Sequence, residues 1–203
     1  MRILLAIPTF GGDIKAATAD SIANMENCGC EIIQKSVVGY GCAPARTRIV
    51  ELACEKGCDR ILMVDSDVEL PPDALSCLLE HDVDVCLGYY ATQGRFDGET
   101  CLCKTGRVNF DRKYNASEIR ELRERGERLI EVKGGGLGCA LIKTSVFERL
   151  AYPWFKWVDY ADGHGTLSED LYFCDECAHA GIKIHADTRV ACRHAFRHWQ
   201  GVE

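Results

Sequence analysis

Short apolar runs recur along this chain, separated by helix-like segments, and that alternation limits the fold more than any other feature. Arg2–Ile7 reads as a buried strand, Asp13–Met25 as a helix and Glu31–Val38 as a second strand. Pro44 opens a helix to about Lys56, where proline near the first turn removes no needed N–H. Gly57 ends that helix, and Arg60–Val64 comes next as a short apolar strand. Pro71-Pro72 starts a helix to about Glu80, and Val83–Tyr89 is a strand again. Strands and helices in this order predict an α/β fold with a mostly parallel central sheet and helices on both faces.

The middle of the chain is less regular. Residues 94–115 read as loop or a small hairpin, and Ala116–Leu129 as a charged surface helix with Glu121/Arg125 and Glu124/Arg128 at i,i+4 spacing. Gly134–Gly138 then leads into a strand, Cys139–Lys143, and a short helix near Thr144–Leu150. An aromatic loop, Tyr152-Pro153-Trp154-Phe155-Lys156-Trp157, precedes a helix starting near Ser168, two short strands and a tail rich in Arg and His. The segment Lys104–Lys133 carries nine basic and six acidic residues. It is either a flap over a ligand or a solvated helix.

The 203 residues are enough for one domain with its own core, so a single domain over 1–203 is expected. Lys and Arg number 24 against 31 Asp and Glu, a net charge of −7. A sequence-independent nucleic-acid binder needs a basic excess to displace counterions, so no nucleic-acid partner is expected. The apolar N-terminal stretch is too short for a signal peptide, and no apolar run approaches the roughly 20 residues that span a bilayer. A soluble, cytoplasmic protein without integral membrane contact is the expectation. Thirteen cysteines, an odd number, argue against a disulfide framework. Cys174-x2-Cys177 has zinc-like spacing but no second pair beside it, and the others sit where small buried hydrophobes would serve.

Three segments could carry chemistry. Asp65-Ser66-Asp67 comes directly after the strand Ile61–Val64, and alternation points both carboxylates to one side at the strand's carboxyl end, where open α/β sheets bind ligands. Hard oxygen donors there suit Mg²⁺ or Mn²⁺. A polar turn capping the next helix is the plainer alternative. Ser168-Glu169-Asp170 offers a general base, or simply an N-cap with first-turn acids that complement the helix dipole. His194 ends the last strand, where imidazole with carboxylates could bind Mn²⁺, and His198 competes with it.

Taken in order, these segments resemble the GT-A fold glycosyltransferases, in particular small metal-dependent relatives of glycosyltransferase family 2. Ile7-Pro8-Thr9-Phe10 resembles the first-strand loop that meets the nucleoside. Ala45-Arg46-Thr47-Arg48 is similar to an Ala-Arg-Asn stretch, with Thr47 in place of Asn, and Leu62–Val68 to the D-x-D strand. Gly136–Lys143 resembles the glycine-led strand lining the sugar site. Tyr152–Phe155, Glu169–Cys174 and Cys192-Arg193-His194 come next in family order.

The resemblance implies transfer of a sugar from a nucleoside-diphosphate-sugar, a UDP-sugar being expected, to a hydroxyl acceptor such as a carbohydrate, with inversion. Asp67 and His194 would hold the metal, Mn²⁺ or Mg²⁺, with Asp65 contacting it through water or meeting the ribose. Pro8, Thr9, Arg46, Asp65, Ser66, Gly136 and Gly138 would contact the nucleotide-sugar, Arg46 at the base or diphosphate. Asp170 would be the base, with Glu169 orienting it or touching the acceptor. Trp154 and Trp157 could stack on an acceptor sugar or pack in the core.

Rival readings remain at this level. A haloacid dehalogenase-like phosphatase also uses D-x-D after a strand, although that strand normally opens its domain. A nucleotidyltransferase would need a basic, Gly-rich loop after the first strand, of which Gly11-Gly12-Asp13 offers little. A non-catalytic sugar-nucleotide or zinc-binding module is the third.

Overall fold

The computed structural model describes residues 1–39, 41–92, 98–105, 112–159 and 165–195. The chain runs β1 (Arg2–Thr9), α1 (Ala16–Ala23), β2 (Glu31–Val38), α2 (Cys42–Glu55), β3 (Arg60–Val64), β4 (Val68–Glu69), α3 (Ala74–Glu80) and β5 (Val85–Tyr89). The hairpin β6 (Glu99–Cys103) and β7 (Lys113–Asn115) leads to α4 (Ala116–Glu124), β8 (Leu129–Val132) and β9 (Cys139–Lys143). A 3₁₀ turn, Thr144–Val146, precedes β10 (Val158–Asp159), β11 (Thr166–Leu167), α5 (Glu169–His179), β12 (Ile184–Ala191) and β13 (Arg193–His194).

Seven strands form the central sheet in the order β2-β1-β3-β9-β5-β12-β8. The pairs β1–β2, β1–β3 and β5–β12 are parallel. β9 lies antiparallel between β3 and β5, and β8 lies antiparallel on the edge against β12. The sheet is therefore mainly parallel, as the alternation predicts. Every residue of β3 and β5 is buried, as is β1 from Ile3 to Thr9. A strand buried on both sides must be covered on both faces, which is why these runs are continuously apolar rather than alternating.

Several local expectations change. The charged helix stops at Glu124 rather than Leu129, because Gly126 adopts a φ of 84° that glycine tolerates and other residues resist. The next residues instead form the edge strand β8. The expected i,i+4 pairs do not form: Arg125 meets Glu127 at 3.4 Å and Arg128 meets Glu80 at 3.4 Å. Only a 3₁₀ turn occupies the start of Thr144–Leu150. The tail beyond Ala195, including His198, lies outside the described residues, as do parts of the 94–115 segment.

Among the described residues no helix is long and apolar enough to cross a membrane. All thirteen cysteines are free thiols, nine of them buried. Cys174 and Cys177 sit in the core on α5, and burial pushes the Cys177 thiol up to about 12. They act as small hydrophobes, not as an exposed metal-binding pair.

Candidate active site at the carboxyl edge of the sheet

Parallel strands deliver the loops at their carboxyl ends to one edge of the sheet. The residues after β1 and β3 lie there, together with the first turn of α2. β9 runs the other way, so the glycines that precede it arrive at the same edge. Val64 pairs with Cys139, and the next step is an Asp65 N–H donating to the Gly138 carbonyl at 3.0 Å. A cleft of about 460 Å³ opens here, lined by Pro8, Thr9, Phe10, Gly41, Cys42, Ala45, Asp65, Ser66, Asp67 and His194.

The metal candidates meet through a strand pair invisible in the sequence. β13 pairs antiparallel with β4, placing His194 opposite Val68, and the Ala195 N–H donates to the Asp67 carbonyl at 2.8 Å. His194 Nε2 then lies 3.3 Å from Asp67 Oδ1. Its other ring nitrogen is 3.2 Å from the Ala91 carbonyl, which orients the imidazole. The hydrogen bond to His194 holds the Asp67 carboxyl below its ordinary range, against the opposing effect of burial. Reciprocally, Asp67 raises the His194 imidazole.

Asp65 does not share this arrangement. Its Oδ1 accepts from Arg46 Nη2 at 2.9 Å, and Arg46 Nε donates to Glu169 Oε1 at 3.3 Å. The Arg46 side chain is 3% exposed, Glu169 6%. Arg46 is thus a buried clamp between the D-x-D loop and the start of α5. The direct contact with base or diphosphate expected of it is not what this geometry offers, since its donors are turned to Asp65 on the cleft wall and to Glu169 and the Met63 sulfur below it. Among the described residues, three ligand atoms come within 4.8 Å of one another only at Asp175, Glu176 and His179 on α5. Asp65, Asp67 and His194 do not converge that closely. A metal held by Asp67 and His194 would have to take its other ligands from water or from oxygen atoms of a bound ligand.

Glu169 and Asp170 open α5 but point to different tasks. Burial raises the Glu169 carboxyl, with Arg46 opposing it, and at this depth Glu169 cannot touch an acceptor. Asp170 is half-buried, and its Oδ1 accepts from the Leu171 N–H at 2.8 Å and from the Ser168 hydroxyl. Ser168 occupies the N-cap position without making the expected side-chain cap, because its hydroxyl serves Asp170 instead.

The glycines are required by space. A Cβ at Gly138 would lie 2.7 Å from the Tyr90 hydroxyl and 2.8 Å from Asp65 Oδ2, and one at Gly136 would collide with the same hydroxyl. Tyr90 accepts the Gly138 N–H at 3.1 Å and meets the His194 ring edge-on at 5.1 Å. Sequence reasoning passed over Tyr90, whose only signal was its place at the end of an apolar strand. Phe10, expected only as part of the loop that meets the nucleoside, is 80% exposed on the cleft wall. Thr9 is buried there, and its hydroxyl has no hydrogen-bond partner among the described residues. Ser66 lines the cleft, and its carbonyl accepts the Lys15 N–H at 2.9 Å.

The two tryptophans of the aromatic loop separate. Trp154 packs on Phe147 at 5.5 Å, and its indole N–H donates to the Phe147 carbonyl at 3.2 Å. It is partly buried and packs against the core, whereas Trp157 is exposed.

Solved structures share this architecture. A197 from STIV matches over 97% of this chain and 86% of its own, at 20% identity and a TM-score of 0.64. The fold is that of the GT-A glycosyltransferases. GalNAc-T7, solved with UDP, GalNAc and Mn²⁺, matches over 99% of this chain at 12% identity and a TM-score of 0.64. S. aureus TarS 1-349, solved with UDP-GlcNAc, matches over 98% at 14% identity and a TM-score of 0.56. The chain spans 44% and 60% of those two proteins. No protein-family model matches the sequence, and no curated protein matches it. Within the GT-A fold, the cleft described here lies at the carboxyl ends of the strands, where open α/β sheets bind ligands.

Proposed function

We propose that this chain is a single-domain, metal-dependent glycosyltransferase that moves a sugar from a nucleoside-diphosphate-sugar to an acceptor hydroxyl, with inversion. The observation that carries this reading is the 3.3 Å approach of Asp67 and His194 on the wall of the 460 Å³ cleft. Its donor set, one carboxylate oxygen and one imidazole nitrogen, suits Mn²⁺ or Mg²⁺, with Mn²⁺ the better match to the nitrogen. Bound there, the cation would supply positive charge against the diphosphate leaving group as the glycosidic bond breaks. A UDP-sugar is the donor we favour, since UDP is present in the structures of both GalNAc-T7 and, as UDP-GlcNAc, TarS.

The protein groups have distinct tasks in this scheme. Phe10 offers an aromatic face to a nucleobase, and the Thr9 hydroxyl is a buried polar group in want of a ligand partner. Asp65, held by Arg46, faces the ribose or a metal-bound water. Asp170 takes the acceptor proton, its carboxylate fixed by the Leu171 N–H and Ser168. Glu169 acts as a positioning residue through Arg46. Attack guided by a single base implies inversion, and a product that keeps the donor's anomeric configuration overturns that part.

The rivals fit less well. A phosphatase nucleophile at Asp65 would have to act while its carboxylate is tied to Arg46. A zinc module has no cysteine cluster to use among the described residues.

Thermal unfolding of metal-stripped protein with UDP, GDP, CDP and dTDP, each with and without Mn²⁺, tests the reading. A ligand at 100 times its Kd adds about 2.7 kcal/mol, which is roughly 5–10 °C for a domain of this size. We expect that shift with UDP and Mn²⁺ together, and its loss in Asp67→Ala. No shift with any nucleotide overturns the proposal.

A further inference from the structure

A second cleft of about 450 Å³ lies between the outer face of α2 and the aromatic loop. Its volume falls within the roughly 300–1,000 Å³ of small-molecule sites. Tyr152 and Trp157, 69% and 57% exposed, line it. They are two of the five large exposed hydrophobics among the described residues.

The platform is built, not incidental. Phe155 contributes from beneath, 3% exposed and stacked on Phe173 of α5 at 5.4 Å. Tyr152 meets Trp154 edge-on at 5.5 Å, and Trp154 is pinned to the Phe147 carbonyl. Exposed aromatic rings of this kind suit the C–H faces of a pyranose. The facing helix supplies the polar half. Arg48 and Glu51 line the groove 3.0 Å apart, with Glu55 2.8 Å from Arg48 just beyond it, giving exposed donors and acceptors of mixed sign. That mixture matches hydroxyl groups, which both donate and accept, better than it matches an anion.

Position ties this groove to the cleft already described. Ala43, in the first turn of α2, lines the groove, while its neighbour Cys42 and Ala45 line the donor cleft. On the other side Lys156, also in the groove, sits 4.7 Å over the Tyr172 ring, two residues from Asp170 on α5. From Ala43 to Glu51 the helix rises about 12 Å, room for more than one sugar ring.

We infer that this groove is the acceptor subsite and takes a carbohydrate chain, its rings stacked on Tyr152 and Trp157 and its hydroxyls bonded along α2. The inference rests on the glycosyl-transfer reading for its role, though carbohydrate binding can be measured apart from it. The experiment is saturation-transfer NMR on the 203-residue chain with maltotriose, mannotriose and chitotriose, with wild type, Tyr152→Ala and Trp157→Ala compared. Both side chains are exposed, so the variants should fold, which thermal unfolding verifies. We expect transfer to at least one trisaccharide, weakened about tenfold or more by Trp157→Ala, with the UDP/Mn²⁺ thermal shift unchanged. No transfer to any of the three, or transfer undiminished in both variants, overturns the groove. A UDP/Mn²⁺ shift missing from wild type defeats the transfer reading instead, and the trisaccharide result still decides whether the groove binds carbohydrate.

Discussion

Arg46 and Glu169, 123 residues apart in the chain, meet at 3.3 Å in a nearly solvent-free site beneath the cleft. The same guanidinium holds Asp65 at 2.9 Å, so the loop after β3 and the first turn of α5 are joined through one side chain. Desolvating the Arg46 and Glu169 charges is costly, and their pairing, with Asp65 at the cleft wall, offsets that cost.

Removing the guanidinium should therefore be severe. Arg46→Met leaves Glu169 buried without its cation, and breaking a buried pair this way costs about 3–5 kcal/mol. A fall in Tm of roughly 10 °C is expected by calorimetry. The double variant Arg46→Met with Glu169→Leu should recover much of that loss, because the buried carboxylate is then gone and Asp65, 28% exposed, can be solvated from the cleft. Equal loss in single and double variants would show that the pairing is not the cause.

His194 provides a sharper test of the metal site. His194→Ala should raise the Mn²⁺ concentration needed for the UDP-dependent thermal shift by at least roughly tenfold, since even outer-shell losses cost that much. Metal-free stability should fall by only about 1 kcal/mol, the loss of the surface-facing contacts to Asp67 and the Ala91 carbonyl, so the Mn²⁺ requirement can still be read. An unchanged Mn²⁺ requirement would remove His194 from the ligand set.

The glycines and Tyr90 form a steric pair. Gly136→Ala places a methyl against the Tyr90 hydroxyl, and overpacking of this kind costs about 1–3 kcal/mol. Tyr90→Phe alone loses one hydrogen bond to Gly138, about 1 kcal/mol. In the double variant the offending oxygen is gone, so urea unfolding should find less destabilisation than the sum of the two. Strict additivity would contradict the contact.

Away from the cleft, Asp187 is wholly buried, with Arg189 Nε at 3.0 Å and His81 Nε2 at 2.8 Å. Burial pushes its carboxyl up, but the bonds from Arg189 and His81 outweigh this and hold it below the ordinary range. A depressed carboxyl stabilises the fold above its unfolded value and loses that contribution as pH falls through the folded value. Wild type should thus weaken as pH drops below about 4, the ordinary carboxylate range. Asp187→Asn should be less stable at neutral pH by about 1.5–3 kcal/mol and show a flatter acid limb in urea titrations. A parallel acid limb would assign the loss to other carboxylates.

Much of this was legible in the residues themselves. The continuous apolar runs of β1, β3 and β5 state that they are buried on both faces, because an exposed face would need alternating polar positions. Asp65 and Asp67 announce themselves by their place just after such a run, and Glu169 and Asp170 by opening a helix. Local pattern could not say that β9 runs antiparallel between β3 and β5, which brings Gly138 to Asp65. Nor could it say that β13 lies on β4, which brings His194 to Asp67.

The roles of Arg46 and Trp154 were beyond reach for the same reason. A side chain's chemistry is set by its partners, and here those partners come from distant segments: Glu169 for Arg46, and the Phe147 carbonyl within a packed aromatic cluster for Trp154. Burial turned the expected ligand contact of Arg46 into a clamp, and left Trp157 rather than Trp154 facing solvent. Periodicity encodes which face of an element is apolar, so the sequence by itself determined the layers of the fold. Which distant polar groups share one desolvated space depends on strand order and direction, and only the tertiary structure decided that.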